Sequence, residues 1–534
     1  MVSKSIMAVA TIILVVVIGG IYFIQQPYTP SETPTSTSPT VTSPTVTPKE
    51  ITTSTEYWPT KGWKVSTPEQ QGMDSEQFVK MLTTIQEQEY DIHSVHVIRN
   101  GYMVTDVYFY PFSSDRRHQL HSCTKSITSA LVGIAIDKGY IDSVDQPVID
   151  FFPERTAANL DVNKKAMTLE HLLTMTSGLE CQDSYLYRWS GLNQMMESDD
   201  WVQFMIDIPM VEEPGTRFEY CNGASFLLSA IIQQTTGMNT LDFAHEHLFG
   251  PLGIYDVTWT SNPQNIALGY SELRMRPHDM AKIGYLYLNK GMWDGELVIS
   301  SEWIEMSTRK QINAGTLLDH YGYQWWIDDS GIYTALGAWG QYIMVIPEKN
   351  IVTVFTSRVN VTKHAPLNLT KNFIMPAVVS DDSLPDNTES VAKLNALTNE
   401  MKQAPDPEPV PPLPEMAQII SGKTYFFNAN SLEWQFLSFT FNGKEALSDY
   451  SIAGISFRDI PTGLDNVYRF SETPIGVLAS KGFWRNESTF VSIDELIGES
   501  MYFESEFTFK DDKVTVQTVD YWGKSVTIIG KQMD

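Results

Sequence analysis

The chain has 534 residues, 42% of them hydrophobic and 12% aromatic, enough for two or more domains with substantial cores. A formal charge of −27 argues against nucleic acid as a partner, because phosphate contacts need clustered lysine and arginine. The 3 cysteines, at 123, 181 and 221, make no C-x-x-C pair and lack zinc-ligand spacing, so no metal site is expected.

Residues 6–24 are an apolar run, preceded by Lys4 and just long enough to cross a bilayer as a helix. Its place before polar low-complexity sequence marks it as an export element. Residues 1–26 are expected to be an uncleaved membrane anchor, with the folded part outside the cell, or a signal segment if they are removed. No A-x-A-like cleavage site follows. Residues 27–57 are rich in threonine, serine and proline, a composition that stays extended and reads as a stalk. Sequons at Asn360, Asn368 and Asn486 fit an exterior location.

A folded region is expected over 58–380. Two β-rich runs flank Asn100-Gly101, a hairpin signal. A helix starting at Ser122 is closed by Gly139, and helical segments follow at Thr168–Leu173 and Ser225–Gln234, the latter ending at Gly237. Strand character returns at Ile343–Ile346 and Ile351–Phe355. Strands at both ends with helices between predict an α+β domain whose terminal segments share an antiparallel sheet. Residues 381–414 read as a proline-rich linker. Over 415–534 alternation dominates: Leu437, Phe439 and Phe441 lead into Asn442-Gly443, and Phe507 and Phe509 into Asp511-Asp512 and then Val514 and Val516. This predicts a small all-β domain, barrel or sandwich.

Chemistry concentrates at Ser122-Cys123-Thr124-Lys125. On a helix, residues three apart share a face, so the lysine amine can reach the serine hydroxyl. A serine needs a base to act as a nucleophile, and burial together with the helix dipole favours the neutral amine that could serve. The Ser122 N–H can help hold an oxyanion. A second Ser-x-x-Lys, Ser307 to Lys310, sits late in an amphipathic helix beginning near Ser301 and has a bland reading. Roughly a hundred residues on, Tyr220-Cys221-Asn222 offers a phenol to relay protons and an amide to bind substrate or hold the lysine. A similar Tyr287-Leu288-Asn289 lies inside an apolar helix and reads as packing. Cys123 and Cys221 read as small buried packing residues. A disulfide between two of the three cysteines stays open for an exterior domain.

Together with Met175–Leu179, Arg276–Gly284, Gly291–Gly295, Tyr321–Trp326 and the closing strand near Gly340-Gln341, these motifs resemble the serine β-lactamase and penicillin-binding-protein superfamily. The likeness is to its class C branch, which holds esterases, D-aminopeptidases and 6-aminohexanoate-dimer hydrolases, and it covers about 58–375. It implies a β-lactamase/transpeptidase-like fold, a nucleophile at Ser122, a general base at Lys125 and a proton relay at Tyr220, with Asn222 beside them. The family's third motif, Lys/His-x-Gly, falls on Ala335-Leu336-Gly337, where no cation stands; Gly337 and Ala338 would line the substrate site, and the Ala338 N–H would be the second oxyanion donor. That cation helps the β-lactam-processing relatives bind a substrate carboxylate, so acidic substrates are expected to be poor ones here. Tyr185, Tyr187, Tyr333 and Trp339 suggest an aromatic pocket. The expectation is a serine hydrolase of esters or amides, without metal or organic cofactor, acting on a small molecule or short peptide. The alternatives are a D-amino-acid or cell-wall peptidase, a weak β-lactamase, and a non-catalytic membrane-tethered receptor.

Overall fold

A computed structural model describes residues 57–183, 190–315, 317–520 and 525–533. The apolar run at 6–24, nearly all of the stalk, Tyr185 and Tyr187 lie outside the described residues. Among the described residues no helix is long and apolar enough to cross a membrane.

The first region is built on an eight-stranded antiparallel sheet. Its strands are β1 (Ile92–Arg99), β2 (Tyr102–Tyr108), β3 (Ile312–Asn313), β4 (His320–Tyr321), β5 (Trp326–Ile327), β6 (Tyr333–Gly337), β7 (Gln341–Ile346) and β8 (Ile351–Ser357). They run in the order β2-β1-β8-β7-β6-β5-β4-β3. Asn100 and Gly101 both take positive φ, 52° and 83°, the tight turn that an Asn-Gly pair favours between strands. The last strand, β8, pairs with the first, β1, so both ends of the region share the sheet as the alternation predicts. Every residue of β1, β7 and β8 is buried.

Helix α1 (Ser75–Glu87) precedes the sheet and is capped by Asp74, whose side chain accepts from the Glu76 N–H. Helix α2 (Cys123–Asp137) is buried all round from Cys123 to Ala135, which explains its lack of a polar face. Ser122 is its N-cap, one residue before the helix that was expected to start there. Gly139 follows with φ 74°, the left-handed ending expected of it. Helix α3 (Leu169–Leu173), helix α4 (Asn222–Thr236) and helix α5 (Pro277–Leu288) complete the frame. Helix α5 lies across β1, β7 and β8, and Gly284 meets Val352 and Ile343 so closely that a methyl group there would overlap both.

The stretch 381–414 is not extended throughout. Residues Thr388–Lys402 form helix α6, capped by Asn387 and packed on α1 and β2. Leu394, Leu397 and Met401 recur at helical spacing and face the same core as the sheet, a signal that the polar composition around them hides. Residues 404–414 carry no helix or strand.

After a short helix at Glu415–Ile420, within the stretch expected to be all β, the C-terminal region is a ten-stranded array over 424–532, antiparallel except for the one parallel pairing that closes it. Gly463, ending strand Ile455–Gly463, pairs with Lys481 of strand Gly476–Asn486, so nine strands make a ring and Arg469–Thr473 lies beside it. Between barrel and sandwich, the closure selects the barrel. Leu437, Phe439, Phe507, Phe509, Val514 and Val516, the inward positions of the alternation, fill its interior with Tyr425 and Phe490.

Candidate active site

The chain enters the site from a two-residue strand, His118–Gln119, which pairs with Leu273–Met275. His121 then takes a left-handed φ of 47° and turns the backbone into Ser122, at the head of α2. One helical turn on, the Lys125 Nζ lies 3.0 Å from Ser122 Oγ. It also contacts the Asn222 Oδ1 and the Tyr270 carbonyl, each at 2.8 Å. Burial pushes the amine down to about 7, against the pull of the Asp183 carboxylate. A neutral amine has two N–H groups and one lone pair. Since both carbonyl-type oxygens can only accept, they take the two N–H groups, and the lone pair is left facing the serine hydroxyl.

Tyr220 completes the trio. The Ser122 side chain acts on its phenol, partly offsetting the effect of burial, and Lys125 Nζ lies 4.8 Å from its ring centre. Burial raises this phenol above the ordinary tyrosine range, so it stays protonated. The ring stacks on Trp326, with centres 6.2 Å apart and planes 18° from parallel.

Asn222 is the first residue of α4, which starts three residues earlier than the predicted Ser225. Its backbone N–H donates to Asp183 Oδ2 at 2.7 Å, and its side-chain amide also helps hold this carboxyl's value down. The amide nitrogen thus faces Asp183 and the oxygen faces Lys125. Asp183 also accepts from the Leu192 N–H at 2.9 Å, and burial pushes it up to about 7. Sequence reasoning missed this aspartate. The signal was the cysteine pair: Cys181 and Cys221 form a disulfide, which draws the segment carrying Asp183 against the residue between Tyr220 and Asn222. Cys221 is therefore bonded rather than a simple packing residue, while Cys123 is free and buried as expected.

The end of β6 supplies the other wall. A Cβ on Gly337 would stand 2.3 Å from the Leu120 carbonyl oxygen and 3.2 Å from His121 Cβ, so only glycine allows this approach. The approach brings Ala338 next to the turn that carries Ser122. Ala335, at the place of the missing cation, is buried in β6, and its carbonyl accepts from the Cys123 thiol at 3.3 Å. Gln324 was not singled out either, yet it ties the frame together: its Oε1 accepts from Ser225 Oγ at 2.7 Å and its Nε2 donates to the carbonyls of Leu172 and Leu173.

The other candidates separate from the site. Ser307 Oγ donates to Ile304 O within its own helix, and Lys310 pairs with Asp329. Tyr287 packs on Trp325 inside α5, and Asn289 bonds Tyr285 O. Tyr333, expected in a pocket, packs against Trp325 and Tyr287 instead; the ring beside the trio is Trp326. Among the described residues, His96, Asp106 and His278 form a group of metal-ligating types within 4.8 Å. Asp106 Oδ1 already contacts both imidazoles, at 3.0 and 2.9 Å, and hydrogen bonding accounts for the cluster.

The family model described as Beta-lactamase matches residues 76–371. The chain is 24% identical over 280 residues to a 6-aminohexanoate-dimer hydrolase of Paenarthrobacter ureafaciens, covering 48% of this chain and 70% of that protein. It is 26% identical over 178 residues to the esterase EstB of Burkholderia gladioli, covering 31% of this chain and 45% of that one. A solved structure, a putative 6-aminohexanoate-dimer hydrolase from Bacillus anthracis, aligns over 57% of this chain and 83% of its own at 21% identity, with a TM-score of 0.47.

Proposed function

The chain belongs to the beta-lactamase family as a serine hydrolase, and on that footing we propose that it cleaves neutral esters or amides through an acyl-enzyme on Ser122. The observation that carries this reading is the Lys125 amine, buried, drawn down to about 7, and held 3.0 Å from the Ser122 hydroxyl by two carbonyl-type acceptors.

In the first step Ser122 Oγ bonds to the substrate carbonyl carbon while its proton passes to Lys125 Nζ. The N–H groups of Ser122 and Ala338 hold the oxyanion of the tetrahedral intermediate. Collapse expels the alcohol or amine, which takes its proton from Lys125 through the Tyr220 phenol. Because burial keeps that phenol protonated, Tyr220 serves as a relay that gives one proton and receives another. Water then attacks the acyl carbon, its proton returns by the same route, and Ser122 is released. Asp183 acts on this chemistry through Asn222, by fixing which end of the amide faces the lysine.

Ala335 replaces the cation that would meet a substrate carboxylate, so the acyl part is uncharged where it lies along β6. The named relatives act on an aminohexanoate dimer and, by name, on an ester, and the absent cation supports esterase- or amidase-type chemistry for this chain. The Cys181–Cys221 disulfide supports an oxidising compartment. With the apolar run at 6–24 it favours a catalytic domain displayed outside the cell on a membrane tether, or secreted if that run is removed.

A panel of p-nitrophenyl esters, 6-aminohexanoyl amides and nitrocefin tests the reading. Hydrolysis of the neutral esters or amides is expected, with nitrocefin much slower, fluorophosphonate labelling at Ser122, and no turnover by Ser122→Ala. Equal turnover by wild type and Ser122→Ala, or absence of labelling, would defeat it.

A further inference from the structure

The barrel touches the first region at several points, among them the Arg358–Glu495 and Arg116–Glu472 ion pairs and the Tyr110–Tyr468 ring contact, and at one turn, residues 497–500 between the strands Thr489–Leu496 and Met501–Lys510. Four contacts there converge behind the site. The Gly498 carbonyl accepts from the Gln119 N–H at 2.7 Å, and Gly498, with φ 83°, lies so close to the Arg117 carbonyl that a Cβ would stand 2.1 Å from it. Glu499 takes Arg274 in a two-pronged ion pair at 2.6 and 2.8 Å. Arg274 lies on the strand paired with Gln119 and also bonds Glu272, which accepts from the Gln119 side chain. Ser500 Oγ lies 3.4 Å from both the Gln341 side-chain nitrogen and the Ser357 carbonyl.

These partners hold the two segments that carry the oxyanion donors. Gln119 stands three residues before Ser122. Gln341 stands three residues after Ala338, and its Nε2 bonds the carbonyls of Ala338 and Ser357, at 3.3 and 2.7 Å. Ser357 Oγ in turn donates to the carbonyls of Trp339 and Gly340, both at 2.8 Å. One barrel turn therefore spans the rear of both walls, and the spacing of two N–H groups aimed at one oxygen is what such a brace controls.

We infer that the turn 497–500 is a positioning element of the oxyanion hole, with Glu499 and Gly498 its principal residues, so that the barrel sets the turnover of a site it does not enter. The inference rests on the reading of Ser122 and Ala338 as the oxyanion donors. A displaced donor loses transition-state stabilisation while ground-state binding is kept, so the loss falls on kcat rather than KM.

The full chain carries the test. Glu499→Ala is compared with Glu472→Ala, which removes the exposed Arg116–Glu472 contact on the same interface. The readouts are kcat and KM on a p-nitrophenyl ester, the rate of fluorophosphonate labelling, and the melting temperature. Glu499→Ala is expected to lose about ten- to a hundredfold in kcat, with labelling slowed in parallel and KM within about twofold. Glu472→Ala should stay within about twofold of wild type in all three. If Glu499→Ala melts below the assay temperature, Ser500→Ala is judged by the same split. A folded variant that keeps kcat within twofold overturns the inference and leaves the turn a docking contact. Wild type that neither hydrolyses the ester nor labels at Ser122 overturns the reading of the site itself, and the inference with it.

Discussion

Around Ser122 the enclosed side chains are a lysine, an aspartate and an asparagine, with the half-buried Tyr220 beside them; inside the barrel they are Phe439, Phe490, Phe507, Phe509 and their aliphatic neighbours. Burying an amine and a carboxyl costs free energy, and the cost appears here as one value pushed down and the other pushed up, both to about 7. In the barrel, burial also pushes up the Asp494 carboxyl, which accepts from Ser480 and Ser492, but the greater part of the interior is apolar. Its aromatic rings pack against one another, Phe439 centred 5.0 Å from Phe507 and 5.3 Å from Phe490. The contrast assigns chemistry to the first region and support to the second.

Four substitutions test that contrast, in falling order of their effect on turnover. Lys125→Met removes the base and should cost about 10²- to 10⁴-fold in kcat. Only the neutral amine can take the serine proton, so wild-type kcat/KM should rise with pH through about 7 and then level. A profile flat from pH 5 to 9 would remove the lysine from the mechanism. Gly337→Ala should force β6 away from Leu120, lowering kcat by about ten- to a hundredfold and stability by about 1–3 kcal/mol; kinetics and thermal melting measure both.

Asp183→Asn keeps the shape of the contact but removes the charge. A drop of about three- to tenfold in kcat is expected, the scale of weakening one charge-assisted hydrogen bond by ~1 kcal/mol. The sign of its pH effect is more telling. The carboxylate stabilises the lysine ammonium, so without it the Lys125 value falls further and the rising limb moves to lower pH. A limb moving to higher pH would contradict the geometry. Phe439→Ala should remove about 3–5 kcal/mol of stability, read by denaturant unfolding, yet leave kcat within about twofold well below the melting transition. A large kcat loss there would break the division between the two regions.

Ser122, Lys125, Tyr220 and Asn222 are legible in the chain because their spacing is local: one helical turn separates the first two and a single residue the last two. Gly337 and Ala338 follow only from the family resemblance, whose third motif falls on Ala335-Leu336-Gly337. Helix α6 was hidden because proline and charge around Thr388–Lys402 masked three apolar residues at helical spacing. Asp183 was hidden for another reason. Nothing near it repeats, and its role exists only once a bond between Cys181 and Cys221 crosses forty residues.

Local rules, helical reach, strand alternation and turn chemistry, thus settle from residue order alone that a serine and a lysine meet, that the first and last strands pair, and that most of the chain beyond 415 forms β structure. Which carboxylate orients the amide, which two cysteines join, and which barrel turn backs the site depend on how distant segments fold against each other. Those contacts join residues far apart in the chain, where no period or spacing constrains one by the other, and only the packed molecule brings them within bonding distance.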